Sequence, residues 1–242
     1  FRTLQINDTV AIYEMRTHLK KMRILLRLVR SKTGKKFYRE ENRRLRQIAG
    51  QFSSLRDLKV KLKLLHELEL EIITPQTGRQ IRELRIALER KHKLALSRLQ
   101  SHRRKIKQAI VRAGDRIKKW PLKGLDKSDF KSGLERAFRR HARALQQARR
   151  NRKDTHLHKW RKRAKDIGHM LTVLGGILPH RHKQEIFVRL GRYLGEDHDV
   201  AILLDTMRRH QQKPLQPAEI LSRRRAAFQK SAFDLVATIG GQ

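Results

Sequence analysis

The sequence predicts an all-α fold. Only five prolines and 13 glycines interrupt the 242 residues, and the apolar side chains between them recur at steps of three and four rather than alternating. Apolar residues make up 38% of the chain, enough at this length for a sizeable core and against disorder throughout.

The first helix is expected to start at Asp8 or Thr9, both suitable N-caps, and to run to Arg30, where Ser31-Lys32-Thr33-Gly34 breaks it. Ile12, Met15, Leu19, Met22, Leu26 and Val29 form its core stripe. A second helix is predicted over 36–53. A third is predicted over 55–73, ending before Thr74-Pro75 because proline disfavours helix at the residue before it. The segment 79–120 contains no proline and one internal glycine, Gly114, and reads as one long helix. Trp120-Pro121-Leu122-Lys123-Gly124 is a central link, with Asp126 or Ser128 capping the helix that follows.

The second half echoes the first. His158, Trp160, Arg161, Ala164, Lys165 and Ile167 align at a constant offset with Tyr13, Met15, Arg16, Leu19, Lys20 and Met22, and Leu55-Arg56-Asp57-Leu58 is matched by Asp197-His198-Asp199-Val200. Two echoes in one order predict an internal duplication, hence a pseudo-twofold bundle. We expect a single domain over 1–242, with one lobe over about 1–120 and a second over about 125–242.

Charge narrows the function. Sixty Lys+Arg oppose 23 Asp+Glu, a formal net charge of +37. On the first helix Arg16, Lys20, Arg23, Arg27 and Arg30 stack on one stripe. Arg39, Arg43 and Arg46 extend the pattern, as do Arg136, Arg140 and Arg143, and Lys91, Arg98, Lys105, Arg112 and Lys119 recur every seven residues. A solvated face usually interleaves acids at i,i+4. Only Asp8 and Glu14 are acidic in the first 39 residues, so the repulsion along this ridge calls for an anionic polymer as ligand.

The absence of cysteine excludes disulfides, thiolate metal sites and cysteine nucleophiles, and favours the cytoplasm. No apolar run approaches the length of a spanning helix. Phe1 stands where an initiator methionine is expected, so we expect a trimmed chain.

Tyr13, Met15, Arg16, Leu19, Lys20, Lys21, Met22 and Arg23, with Leu55-Arg56-Asp57, resemble the first half of a CHAD domain, the conserved histidine α-helical domain. His158, Trp160, Arg161, Ala164 and Lys165, followed by Gly195-Glu196-Asp197-His198-Asp199-Val200, are similar to its second half. The resemblance implies two related four-helix units around a basic groove or cavity that binds inorganic polyphosphate. It also implies a partner such as a CYTH-type triphosphatase, and an association with polyphosphate granules. By that resemblance Arg16, Lys20, Lys21, Arg23, Arg56, His158, Arg161, Lys165 and His198 are expected to bind the chain; Arg27, Arg39, Arg43, Arg46, Arg136, Arg140 and Arg143 are added from face geometry. Two positions depart from the family pattern: Tyr13 replaces the first histidine, and Gly168 the basic residue after Lys165.

Polyphosphate presents only oxygen acceptors, which suits guanidinium forks and ammonium charges along a track. Nucleic acid, the alternative polymer, is usually met by aromatic stacking platforms. Aromatics are 5% of this chain, and Phe52, Phe138, Trp160 and Phe187 sit among apolar neighbours, as core residues do. No catalytic residues are expected: P-loop, nucleophile elbow, HExxH and a magnesium-holding carboxylate cluster are all missing, and no metal or cofactor is called for. Glu67, Glu69 and Glu71 resemble the acidic motif of CYTH triphosphatases only superficially, because they fall on a helix. Asp57 and Asp199 are expected to orient neighbouring cations or to cap the third helix and its counterpart, and His158 and His198 to donate to phosphate when protonated, near neutral pH.

Overall fold

The computed structural model describes residues 9–71, 74–177, 181–210 and 216–240, and among these the chain forms ten helices and no strand. The first half holds α1 (Thr9–Leu28), the single-turn α2 (Arg30–Thr33), α3 (Lys35–Gly50), α4 (Ser53–Glu69), α5 (Pro75–Ser101) and α6 (Arg103–Lys118). The second holds α7 (Lys127–Arg150), α8 (Asp154–Leu174), α9 (Arg181–His210) and α10 (Gln216–Gly240). The expected cap at Asp8 and helix end at Ile73 lie outside the described residues, as does the side chain of Tyr13.

The predicted stripe of α1 faces inward: Met15, Leu19, Leu26 and Val29 are buried, and Ile12 and Met22 pack against the core. The helix stops at Leu28, two residues short of Arg30, where Val29 relaxes to φ −86°, ψ 13° beside a close approach of α7. A Cβ on Gly133 would stand 2.3 Å from the Leu28 carbonyl oxygen, to which Arg136 Nη2 also donates at 3.5 Å. Gly34, at φ 81°, then supplies the left-handed residue that separates α2 from α3.

The single long helix predicted over 79–120 is corrected to two. Ser101 Oγ donates to the Arg98 carbonyl oxygen at 2.9 Å, and the His102 ring nitrogen Nδ1 lies 2.8 Å from the same atom. Side chains that bond backward to the backbone compete with the helical ladder. His102 accordingly relaxes to φ −94°, ψ 4°, and α6 restarts at Arg103. At the central link, Trp120 Nε1 donates to buried Glu41 at 3.4 Å. Asp126 caps α7 as expected, in a reciprocal capping box with Asp129.

Three apolar clusters form the core. The largest joins α1 to α7, α8, α9 and α10 around Trp160, Ile167 and Leu190. A second packs α1 on α3 and α6 through Leu19, Leu45, Phe52 and Ile106. The third joins α4 and α5 to α9 and α10 through Leu65, Ile81, Leu203 and Leu221. α1 therefore lies between two clusters with its cationic stripe along α8, and α4 lies against α9. These two helix pairs position the site.

Candidate functional site

The α1 stripe meets a second basic face on α8. Burial, and after it the Arg161 charge, pushes Lys20 and Lys165 each down to about 8, and Lys20 adds to the shift of Lys165. Arg16 and Arg23 are also held below the ordinary guanidinium value, by burial first and then by Arg56 and Arg27 respectively. Such crowding is unfavourable in the unliganded protein and is what a bound polyanion relieves.

Three carboxylates keep the cluster folded. Asp199 on α9 accepts two bonds from Arg56 Nη2, at 2.8 and 2.9 Å, and lies 3.8 Å from Arg161. Asp57 accepts from Arg56 Nη1 at 3.1 Å. The two echoed motifs thus meet, the arginine of the first on the aspartate of the second. Although burial alone would raise it, Asp199 is held below the usual carboxylate range by the His198 hydrogen bond and by Arg56 and Arg161. Asp166 on α8 pairs with Arg27 and sits 3.4 Å from Arg163.

His158 and His198 lie with their ring centroids 4.7 Å apart, and His198 Nδ1 is 3.3 Å from Asp199. Burial, then His198 and Arg161, push His158 down to about 4. That direction runs against the sequence-based expectation that His158 is protonated near neutral pH. His169, a turn beyond Lys165, is likewise pushed to about 4 by burial and then by Lys20 and Lys165. The chain pattern alone did not single it out.

Of the predicted residues, Arg16, Lys20, Arg23, Arg27, Arg56, His158, Arg161, Lys165 and His198 come together across α1, α4, α8 and α9. Lys21 is exposed at the edge, near enough to lower His169. Arg46 reaches the cluster from α3, acting on Arg23 and Lys162, whereas Arg39 and Arg43 stand exposed on the same helix. Arg136, Arg140 and Arg143 line a cavity of about 260 Å³ at the far end of the α1 stripe, with Arg27, Arg30 and Arg163.

Two glycines that the motifs leave without a role make room for these cations. A Cβ on Gly191 would approach Lys165 Cγ to 3.1 Å, and one on Gly195 would approach Lys165 Nζ to 3.1 Å and Arg161 Nε to 4.0 Å. Their i,i+4 spacing on α9 was the available signal. Gly168, which replaces a basic residue of the family pattern, is buried where a Cβ would stand 3.3 Å from the Phe187 carbonyl oxygen. A long side chain there would separate α8 from α9.

The remaining acids are structural. Glu69 pairs with Arg85 at 2.9 Å, Glu67 with Lys63 at 3.5 Å, and Glu71 with Arg224. Among the described residues no group of three His, Asp or Glu side chains converges as a metal site, and no helix is long and apolar enough to cross a membrane.

The sequence model of the CHAD domain matches residues 2–208 of the chain. No curated protein and no solved structure matches it.

Proposed function

Because the chain belongs to the CHAD domain family, we propose that it binds inorganic polyphosphate without catalysing its turnover. The chain runs in a groove between two pseudo-symmetric repeats, along the stripe from Arg16 to Arg27 and against Arg56, Arg161 and Lys165. The observation that carries this reading is the cationic stripe of α1 set along the basic face of α8, where burial and the Arg161 charge push Lys20 and Lys165 down to about 8. Charge this dense favours a ligand with an anionic oxygen at every repeat. Phe52, Trp160 and Phe187 are buried in the core and offer no face to a nucleobase. Binding would serve to hold the protein at polyphosphate granules in the cytoplasm, or to deliver the polymer to a partner such as a CYTH-type triphosphatase.

The test is competition at fixed, near-physiological salt, since salt alone shifts such affinities by orders of magnitude. Labelled long-chain polyphosphate bound to the protein is challenged with single-stranded DNA, RNA and duplex DNA at matched phosphate concentration. Retention of polyphosphate against a large excess of nucleic acid is expected. Displacement phosphate for phosphate would instead identify a nucleic-acid-binding protein. Phosphate release over time, measured in the same samples, would overturn the non-enzymatic reading.

A further inference from the structure

The cavity at the end of the α1 stripe differs in kind from the rest of the site. Seven of its lining residues are arginines, none is a lysine, and its one carboxylate is Asp166. That carboxylate is already shared by Arg27 and Arg163. Among the described residues no carboxylate lies within ion-pair distance of Arg136, Arg140 or Arg143, while Arg139 has Glu135 at 3.8 Å. Arg30 is held over the Tyr38 ring, 5.0 Å from its centroid. Gly133 brings α7 against the backbone of α1, and Ala137 and Met170 also line the cavity.

Size and charge select the occupant. A volume of about 260 Å³ lies just below the roughly 300–1,000 Å³ of pockets that take drug-sized ligands and has room for a few condensed phosphates. Guanidinium forks match phosphate oxygens in pairs. A terminal phosphate also differs from an interior one: its second ionisation, near pH 6, gives it up to two negative charges, and it exposes three oxygens rather than two. A cluster in which Arg136, Arg140 and Arg143 have no carboxylate partner among the described residues fits that end group better than the middle of a chain.

We propose that this arginine cavity is an end-reading site, which binds the terminal phosphates of a short condensed phosphate while the α1–α8 contact holds the interior of a longer chain. The proposal rests on the polyphosphate reading for its second half only. The ligand is the terminus of a long chain or a free short oligophosphate, and the two share the same chemistry at the cavity.

The experiment titrates the whole protein with inorganic tripolyphosphate, with long-chain polyphosphate, and with long chains whose ends are blocked as phosphoramidates. Three paired variants are compared: R140A/R143A in the cavity, K20A/K165A in the track, and R98A/R112A on the exposed outer face of α5 and α6. Arg140 and Arg143 are exposed, so their loss leaves the core intact; the paired R140K/R143K variant keeps the charge and removes the forks. Tripolyphosphate affinity is expected to fall about tenfold or more in R140A/R143A, to recover only partly in R140K/R143K, and to change less than about threefold in the other two. If blocking the ends weakens long-chain binding to the unsubstituted protein but not to R140A/R143A, the cavity takes chain ends; if blocking has no effect, it takes free oligophosphates. Equal loss of tripolyphosphate affinity in all three variants, or no loss in R140A/R143A, overturns the inference. Failure of the polyphosphate reading shows elsewhere, as displacement of long chains by nucleic acid with the tripolyphosphate results unchanged.

Discussion

Lys20 and Lys165 work against folding, and in the proposed function they work for binding. Each is pushed from 10.5 to about 8, so between those values the unfolded chain carries more protons than the folded one. Stability from these groups therefore rises as pH increases through that window. Affinity for a polyanion runs the other way, because the free protein loses both ammonium charges as pH passes 8. Long-chain affinity is expected to fall more than tenfold between pH 7 and pH 9.5 while the melting temperature does not fall with it. Titration calorimetry at pH 8 in buffers of different ionisation enthalpy should show proton uptake on binding. A flat pH profile with no proton uptake would mean that these lysines do not touch the ligand. At the same scale, Gly195→Ala should displace the Lys165 ammonium from its 3.1 Å approach and lower affinity about three- to tenfold. Stability should hold or improve, since alanine favours helix by up to about 1 kcal/mol. Binding and thermal melting of the one variant check both halves of that expectation.

At the scale of helices, the contact of α7 with α1 depends on one missing methyl group. A Cβ on Gly133 would lie 2.3 Å from the Leu28 carbonyl oxygen and 2.7 Å from Leu28 Cα, both backbone atoms that cannot rotate away. Gly133→Ala is expected to cost about 3 kcal/mol, the upper part of the usual overpacking range, and to lower the melting temperature by roughly 6–12 °C. An unchanged melt would show that α7 shifts freely over α1. Element positions were legible from apolar spacing and from Gly34, Pro75 and Asp126, because those signals act within one turn. The break at His102 was not: it depends on which side chains turn back to one carbonyl, and Ser101 and His102 also fit a continuing helix. The site shows the same division. Helical spacing placed Arg16, Lys20, Arg23 and Arg27 on one face, and the motif echo marked Arg161 and Lys165. The role of Asp166, the closeness of His169 and the clearance at Gly191 and Gly195 arise only where two helices from distant sequence meet.

For the whole molecule, acid should be the weak side. His141 is pushed down to about 4 by burial, where its Nε2 accepts from Trp160 Nε1 at 2.9 Å; His158 and His169 are pushed to about 4 as well. Unfolding lets all three return toward 6.5, so the stability they confer is full above about 6.5 and is lost as pH falls toward 4. Urea midpoints are expected to drop steadily from pH 7 to pH 5, and His141→Gln should flatten part of that slope. A bound polyanion should protect against the same acidification, because protonating His158 and His169 then adds charge beside an anion. Acid melts with and without long-chain polyphosphate read that protection directly.

The third apolar cluster joins α4 and α5 to α9 and α10, and Arg56 crosses the same boundary to Asp199. A covalent link near Pro121 is therefore not what keeps the halves in register. If the backbone were cut there, each fragment would expose the apolar face that the other normally covers. Neither would be a sound protein by itself, yet each would carry the template for the other. Such a chain lends itself to reconstitution from two pieces, and the proposed polyanion, lying between α1 and α8, would draw them together.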